Sequence, residues 1–417
     1  MIVVIGAGIS GLTLAHELEA RGVDFLLLEA GKRVGGVIRS GRVDGHLLEY
    51  GPQRARRTAD LERLVEELAL RDRLIEAPRG LPLYVYSAGR LRRVPMSVAQ
   101  FVATDLLSPS AKLRVLAEPF TRAAEDDESV GAVLRRKLGR AAYENLAGPL
   151  YGGLYASDPD DMVVGLSLRH TLRDLGVGRS LLLRALRAGR APAPSACSFM
   201  DGLEELPRAL HARHRARIRL GAAARRLSWS GSRWLVYTDE ATIDAAHVVI
   251  ATPAQAAAAL LGEALPDAAA SIARLVYNPL AIVHLHASAQ LHGLGYQVGL
   301  GESMMTRGVT FNDALFRRRG VFTSYLGGAR RRDVVDASDD EIAQAAHAEF
   351  RDATGVEARV LSVTRAWMPA WDRSWGEIGR LALPAGLHVH ANWHTRPGLP
   401  GRLARSRSLA DALARDA

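Results

Sequence analysis

The sequence predicts an α/β fold: a doubly wound parallel-sheet domain assembled from discontinuous segments, a mixed-sheet second domain and an inserted helical subdomain. Three observations predict it. The chain opens on an apolar strand, Ile2 to Ile5, a glycine-rich turn, a helix-period stretch, Leu12 to Ala20, and a second apolar strand, Phe25 to Leu28, ending at Glu29. The same alternation returns at residues 199–260 and at the carboxyl end, from Leu387 onward. Between them, Pro95 to about Arg190 keeps helical spacing, punctuated by Pro109, Pro119, Pro149 and Pro159, since proline starts or ends a helix rather than continuing it.

The opening turn reads Gly6-Ala7-Gly8-Ile9-Ser10-Gly11. Gly6 permits the tight turn, Gly8 lets the backbone approach a pyrophosphate, and Gly11 lets the helix pack close to the strand. The helix start directs unpaired N–H groups and the positive end of its dipole at the phosphates. Glu29, ending the second strand, is placed to accept both hydroxyls of a ribose, and its charge disfavours the 2′-phosphate of NADP. A glycine-rich turn alone is a common strand–turn–helix. Here the strand, helix, second strand and terminal acid all accompany it, which is the context a dinucleotide site requires.

The next residues select the dinucleotide. Glu29 is followed by Ala30-Gly31-Lys32-Arg33-Val34-Gly35-Gly36-Val37-Ile38-Arg39-Ser40. A nicotinamide enzyme needs no second glycine pair and arginine there. The stretch resembles the R-x-G-G-x-x-x-[ST] segment of FAD oxidases of the amine oxidase-like class. Gly35 and Gly36 permit close backbone approach, and Arg39 brings positive charge. The expected cofactor is FAD, and the parallel-sheet domain is read as a Rossmann-type FAD-binding domain.

Composition bounds the rest. The 417 residues suggest two or three domains, and 48% apolar with 24% charged residues is ordinary for a globular protein. With a strand starting at Met1, no signal peptide is expected ahead of it, and no apolar run reaches the length of a membrane span. One cysteine, Cys197, excludes an intrachain disulfide and a multi-cysteine metal site; it is expected to be a small packed residue. No metal is expected, and a reducing cytoplasm is the simplest compartment. The net charge of +9 is carried almost wholly by arginine, the lysines being Lys32, Lys112 and Lys137. Such charge suits anionic lipid or an acidic substrate better than nucleic acid, for which no recognition motif is present.

Further elements follow from periodicity. Val43 to Tyr50 has strand character, Leu61 to Leu70 helical spacing, and Leu83 to Val94 reads as a hairpin turning at Ala88-Gly89. Ala191 to Pro194 reads as a stiff connector. A helix is expected at Leu203 to His214, short strands at Ile218 to Leu220, Arg225 to Ser228, Trp234 to Thr238 and His247 to Ala251, and a helix at Asp339 to Thr354. The tail carries a strand, Leu387 to Ala391, and a helix from about Leu403 to Arg415. The expected organisation is an FAD-binding domain from 1–80, 199–260 and 376–417, a substrate domain from the hairpin 81–94 with 261–375, and a helical subdomain at 95–190 facing membrane or substrate.

Several of these segments together resemble one family, the oxygen-dependent protoporphyrinogen or coproporphyrinogen oxidases. They are GAGISGL at 6–12, GGVIRS at 35–40, LEYGP at 48–52, SVGAVLRRKLG at 129–139, PLYGGLYASDPDDM at 149–162, FMDGLEELPRAL at 199–210, WMPAW at 367–371 and ANWHTRPGLPGRLARS at 391–406. The FAD pieces occur across the wider amine oxidase superfamily; GGLYASDP is the more specific one. The resemblance implies that Gly6, Ala7, Gly8, Ser10 and Gly11 cradle the pyrophosphate, and that Glu29 with Ala30 holds the adenosine ribose. Gly35, Gly36 and Arg39 would run beside the cofactor, Gly51, Pro52 and Gln53 beside the isoalloxazine, and Ala224 would give backbone contacts to adenine. Trp375, Pro397, Gly398 and Leu399 would complete the flavin enclosure, the last helix placing its positive end near the flavin. Departures are Gly401-Arg402, where the family often has aspartate and cysteine; Gln53-Arg54 after the Gly51-Pro52 pair; and Ala99, about where some members carry an arginine.

The resemblance also implies the chemistry: hydrides leave the porphyrinogen for the flavin in successive two-electron steps, with O2 as final acceptor and H2O2 released. No acid–base pair is demanded, and no catalytic residue is assigned. Arg54, Arg56, Arg57, Arg92 and Arg93 are candidates to hold the substrate propionates, since a guanidinium matches a carboxylate bidentately; Trp371 is a candidate pocket wall. The same-face pairs His284/His286 and His388/His390 read as ordinary strand histidines. Val98 to Leu107 could lie on a membrane surface, and handover of product to a ferrochelatase is an expected partnership. Three other readings stand beside this one. An amine oxidase of this class uses a substrate-domain lysine, and none follows Lys137. A carotenoid desaturase shares the first motifs but matches GGLYASDP poorly. A non-enzymatic flavoprotein-fold partner is favoured only by Gly401-Arg402.

Overall fold

Five parallel strands carry the first motif. In the computed structural model, which describes residues 1–174, 176–177, 179–187, 195–395 and 398–416, they run side by side in the order Ile218–Leu220, Phe25–Glu29, Ile2–Ile5, His247–Ile250 and Leu387–Val389. Ile2–Ile5 is buried along its whole length, as a central parallel strand covered on both faces must be. Val3 and Ile5 pack on one side with Trp234, Val236 and Val248. Ile2 and Val4 pack on the other with Leu12, Leu14 and Leu18 of helix Ile9–Ala20, and with Leu409 and Leu413 of the last helix, Leu399–Asp416. An antiparallel sheet of Ala224–Trp229, Trp234–Thr238 and Thr242–Ala245 contributes to the first of these two cores.

The second large sheet has seven strands, in the order Arg359–Pro369, Tyr277–His286, Val321–Gly327, Thr306–Phe311, Gly295–Val298, Leu83–Ser87 and Arg90–Arg93. Every pairing is antiparallel except Gly295–Val298 with Leu83–Ser87. Alternation along the strands gives it two different faces. Ala281, Val283, Leu285, Phe322 and Leu326 pack against Ile342, Ala346 and Phe350 of helix Asp339–Thr354. Leu280, Ile282, His284, Thr323 and Tyr325 occupy the opposite face, turned toward the glycine-turn half of the molecule.

Short helices fill residues 98–187: Val98–Ala103, Pro109–Leu116, Val130–Leu138, Gly148–Tyr155, Leu168–Asp174 and Leu181–Arg187 are the main ones. Ser97, Ser108 and Ser129 cap the first three by accepting from a backbone N–H three residues on.

Several expectations are corrected. Val43 to Tyr50 is not one strand but the second half of a hairpin, Ser40–Val43 with His46–Glu49, turning at Asp44-Gly45. Both turn residues have positive φ, 50° and 80°, as a two-residue hairpin turn requires. Strand Thr242–Ala245 has too few apolar residues to stand out. The last helix starts at Leu399 rather than about Leu403, because Pro400 fits a first turn, where its missing N–H has no partner to lose. The Val98–Leu107 stretch is not one helix: it stops at Ala103, and Leu106 and Leu107 turn inward against Val94 and Val115. The connector at 191–194 lies outside the described residues.

Candidate functional site

The glycine turn explains itself atom by atom. Gly6 has φ 108°, and a Cβ there would stand 3.0 Å from the Ala251 carbonyl oxygen. At Gly11 a Cβ would stand 2.0 Å from the Gly6 carbonyl oxygen, so no side chain fits between helix and strand. At Gly8 a Cβ would meet nothing within 4 Å, so the outer side of the turn is open. Ser10 is buried in the first helical turn. Glu29 has a duty that the motif does not announce: its carboxylate accepts the N–H of Ala7 at 2.7 Å and of Gly31 at 2.8 Å. It therefore fixes the turn itself, with Ala30 between its two contacts.

The second glycine pair lies directly against the first turn. The N–H of Gly35 donates to the Ala7 carbonyl at 2.8 Å, and a Cβ on Gly36 would come within 3.2 Å of Gly8 Cα. Arg33 donates to the carbonyls of Val34 at 3.0 Å and Gly36 at 2.6 Å, holding the loop closed. Arg39 stacks over the Tyr50 ring, 4.9 Å from its centroid. A Cβ on Gly51 would fall 1.9 Å from the Val37 carbonyl oxygen, so the LEYGP segment abuts the same loop. Pro52 is exposed, whereas Gln53 is buried. The Gln53 amide donates to the carbonyls of Glu49 and Gly51 and accepts from Thr323 at 3.0 Å and Asn312 at 3.2 Å, tying the loop to the seven-stranded sheet. Ala224 follows a segment that runs beside Glu29, Ala222 N–H donating to the Glu29 carbonyl at 2.9 Å.

The strands of the parallel sheet all end at one edge, the place where open α/β sheets bind ligands. Two helices start there. Thr13 and Ser406 share a hydrogen bond of 2.7 Å, and Arg21 meets Asp411 at 2.6 Å, so the first and last helices run parallel and in step. Four residues before that shared bond, Ile9 is level with Arg402, and both helix starts face the edge. Gly398, at φ 88°, and Leu399 lead into the last helix; Pro397 lies outside the described residues. Arg402 bonds Thr395, and burial pushes its guanidinium down to about 10. At the same edge Thr252 Oγ1, Asn392 Oδ1 and His394 Nδ1 are buried with no hydrogen-bond partner among the described residues. Two helix N-termini, an open glycine turn and these unsatisfied polar atoms fit a bound dinucleotide.

The remaining candidates separate. Trp371 and Trp375 are 7% and 1% exposed, with ring centroids 4.6 Å apart, and both belong to the core beneath the parallel sheet. Trp371 is thus a packed residue rather than an open pocket wall; Trp375 donates to the Val276 carbonyl at 3.3 Å. Arg92 and Arg93 lie on the outermost strand of the seven-stranded sheet, four strands from the one that carries Tyr325. At a spacing of about 4.8 Å per strand, that is roughly 19 Å or more. Arg92 is occupied by Asp105 and the Ser87 carbonyl. Arg57 pairs with Glu62 and Glu76, and Arg56 is exposed. Arg54 differs. Its side chain is exposed, yet desolvation lowers its pKa. Tyr325 adjoins it, its hydroxyl pushed up to about 12 by burial. On the same face of the sheet Ala156, Leu280 and Ile282 form a buried apolar cluster, with Tyr325, Ala366 and Met368 partly buried against it.

Three structural devices were not assigned from the motifs. Glu49 of LEYGP is buried and accepts from Arg318 at 2.7 Å, Ser40 Oγ at 2.6 Å and the Leu203 N–H at 2.9 Å, joining three segments in one ionic node. Burial raises its pKa against the pull of Arg318. The GGLYASDP segment is a clamp. A Cβ on Gly153 would fall 1.8 Å from Gln297 Oε1, so the glycine lets helix Gly148–Tyr155 press onto the sheet. Ser157 Oγ then accepts from Asn278 at 3.0 Å and donates to the Ala370 carbonyl at 3.1 Å. His284 bridges Ser362 and the Glu49 carbonyl, both at 2.9 Å, and His388 bonds His247 at 3.2 Å, so these histidines hold strands together.

Residues 9–395 match the family model described as flavin containing amine oxidoreductase. The chain belongs to that family. This flavin oxidoreductase carries FAD, the dinucleotide whose signature occupies its first forty residues. Among curated proteins it is similar to protoporphyrinogen oxidase 1, chloroplastic, of Arabidopsis thaliana, 26% identical over 84% of this chain and 73% of that one. It is also similar to coproporphyrinogen III oxidase of Bacillus subtilis, 28% identical over 82% of this chain and 80% of that one. A solved structure from Exiguobacterium sp. 255-15, provisionally named protoporphyrinogen oxidase, shares the fold with a TM-score of 0.83, 24% identity and coverage of 100% and 99%. Cyclohexylamine oxidase from Brevibacterium oxydans does so with a TM-score of 0.73, 16% identity and coverage of 100% and 98%.

Proposed function

We propose that this flavin oxidoreductase oxidises a porphyrinogen to the porphyrin in haem synthesis, with O2 as acceptor and H2O2 released, and that protoporphyrinogen IX is preferred to coproporphyrinogen III. The observation that carries the reading is similarity, over 82–88% of the chain, to curated relatives named for one or other of these two activities.

Bound FAD supplies the two-electron acceptor. Gly6, Ala7, Gly8, Ser10 and Gly11 would shape the turn that meets its pyrophosphate, and Glu29 and Ala30 would face the ribose. Gly35, Gly36, Arg39, Gly51 and Pro52 would border it, with Ala224 at the adenine and Gly398 and Leu399 at the start of the last helix. Gln53 and Trp375 would act from behind, one bracing the loop and the other the core. No side chain is required to move a proton: burial and orientation are the protein's contribution. The amine oxidase alternative lacks its lysine. Lys137, the last in the chain, is buried between Glu118 at 3.1 Å and the Arg179 carbonyl at 2.7 Å.

We further infer a cytoplasmic enzyme that touches a membrane peripherally and passes its product to a ferrochelatase, with the division into FAD-binding, substrate and helical domains given above. The test of the activity is a pair of parallel assays of the FAD-loaded protein with protoporphyrinogen IX and coproporphyrinogen III under air. Porphyrin fluorescence and peroxide should rise together, faster with the first substrate. No fluorescence gain with either substrate refutes the reading, and a faster coproporphyrinogen reaction reverses the preference.

A further inference from the structure

A bulge in the seven-stranded sheet aims one arginine beneath a helix. In strand Thr306–Phe311, Thr306 stands opposite Leu326 and Gly308 opposite Tyr325, so Arg307 is an extra residue with nothing opposite it. Gly308 shares the face of Tyr325, and helix Gly148–Tyr155 lies on that face. A Cβ on Gly153 of the helix and one on Gly308 of the strand would both meet the Gln297 amide oxygen, at 1.8 and 2.6 Å. The Arg307 side chain lines a cavity of about 20 Å³ between that helix and the ends of the strands, with Gly152, Gly153, Leu300 and Arg330 among its other walls.

The neighbouring charges are matched, and that of Arg307 is not. Arg330 pairs with Asp158 at 3.1 Å and donates to the Leu300 carbonyl at 3.2 Å. Arg331 pairs with Asp333 at 2.8 Å. Arg307 makes no ion pair among the described residues. Its Nη2 donates to the Met304 carbonyl, and its Nε is buried with no hydrogen-bond partner among them. Glu349, the acid that acts on it, is already engaged: its two oxygens accept from the N–H groups of Met305 and Thr306 at 2.7 Å each. Burial pushes the guanidinium down to about 10 against the pull of Glu349. A cation withdrawn from water with no ion in contact is unfavourable. A water satisfies its N–H but leaves the charge, whereas an anion relieves both. Size then chooses the anion. A cavity of about 20 Å³ takes one water or one ion of similar size, so neither a phosphate nor a macrocycle enters it. The Gln297 amide stands at the Gly153 wall, and a half-turn about its last bond presents NH2 in place of the oxygen.

We propose that Arg307 and the cavity beneath helix Gly148–Tyr155 form a site for a single monatomic anion, chloride in practice, and that the bound ion pins the GGLYASDP segment to the seven-stranded sheet. The site takes no part in the flavin chemistry, so it stands or falls independently of the porphyrinogen reading.

Two measurements on the FAD-loaded protein test it. Thermal unfolding is followed at constant ionic strength while chloride replaces gluconate, an anion too large for the cavity. The wild-type midpoint should climb with chloride, since an ion that binds only the folded state stabilises it by mass action. Arg307→Met should show no such climb while keeping its FAD content. Arg307→Lys keeps the charge but loses the Nε–H, and should need roughly tenfold more chloride for the same climb; it carries the test if the methionine variant does not fold. Crystals grown with bromide in place of chloride should show an anomalous peak within hydrogen-bond reach of Arg307 Nε. A wild-type midpoint indifferent to chloride overturns the proposal. So does an unchanged chloride response in the variants, or a cavity that holds only water in the bromide crystals.

Discussion

At the residue scale, Glu29 shows how one side chain can serve two masters. It stands where the motif has its ribose acid, and it holds the turn by accepting from Ala7 and Gly31. Glu29→Lys should therefore fail twice, replacing an acceptor with a donor at the ribose and freeing the turn that meets the pyrophosphate. The purified variant should lose most of its bound FAD, read as the ratio of flavin to protein absorbance, while circular dichroism shows the fold intact. Retention of wild-type FAD would mean that the ribose is held elsewhere. The motif made Glu29 legible because a terminal acid after two strands has one recurrent use. Glu49 was illegible for the opposite reason. Two of its partners, Arg318 and Leu203, are distant in sequence, and the third, Ser40, faces it only once the hairpin has formed, so nothing local marks an acid that folding will bury.

At the element scale, what could be read was whatever periodicity alone decides. Helix Asp339–Thr354 falls where the spacing placed it, because Ser338 and Glu341 form a capping box and Gly355 ends it with φ 71°. The apolar stretch after Pro95 misled because a run of Val, Phe and Leu does not state which side each residue faces. In the structure the run breaks at Thr104. Val98 and Val102 are each 68% exposed, while Leu106 and Leu107 are buried. The neighbouring helix Pro109–Leu116 and the turn after it expose Leu113, Leu116 and Phe120, and Lys112 joins the two helices by donating to the Val102 carbonyl at 2.6 Å. Short helices with apolar residues outward and a lysine among them suit a shallow contact with an anionic lipid surface, and no described helix is long and apolar enough to cross a membrane. The protein should therefore sediment with vesicles containing anionic lipid at low salt, and Val98→Asp with Phe120→Asp should abolish this without changing FAD content. Wild type that stays in the supernatant at low salt would remove the membrane contact from the proposal.

At the scale of the whole molecule, the two halves are joined by buried polar groups, and this gives stability a pH dependence of definite sign. Burial holds His284 and His388 at about 4 and His390 at about 3, against an ordinary histidine value of about 6.5 in the unfolded chain. A group whose folded pKa is depressed binds protons more readily when unfolded, so acid favours unfolding. The contribution is fully present above about pH 6.5 and is lost as pH falls from there toward 4 or 3. Carboxylates held low act in a different window: Glu128, set at about 2 by Arg136 and its other partners, matters only below the ordinary carboxylate range. The midpoint of thermal unfolding should thus be level from pH 8 to about 6.5 and fall steadily between 6.5 and 4. His284→Gln should flatten that slope by about one proton, because a neutral amide can still hydrogen-bond near Ser362 and Glu49 but cannot take up a proton. The slope also tests how the halves are held, since His284 lies on the seven-stranded sheet and bonds the Glu49 carbonyl of the glycine-turn half. An unfolding midpoint that is flat down to pH 4.5 would show that these histidines take up protons in the folded protein as well, or that the halves separate before the strands do.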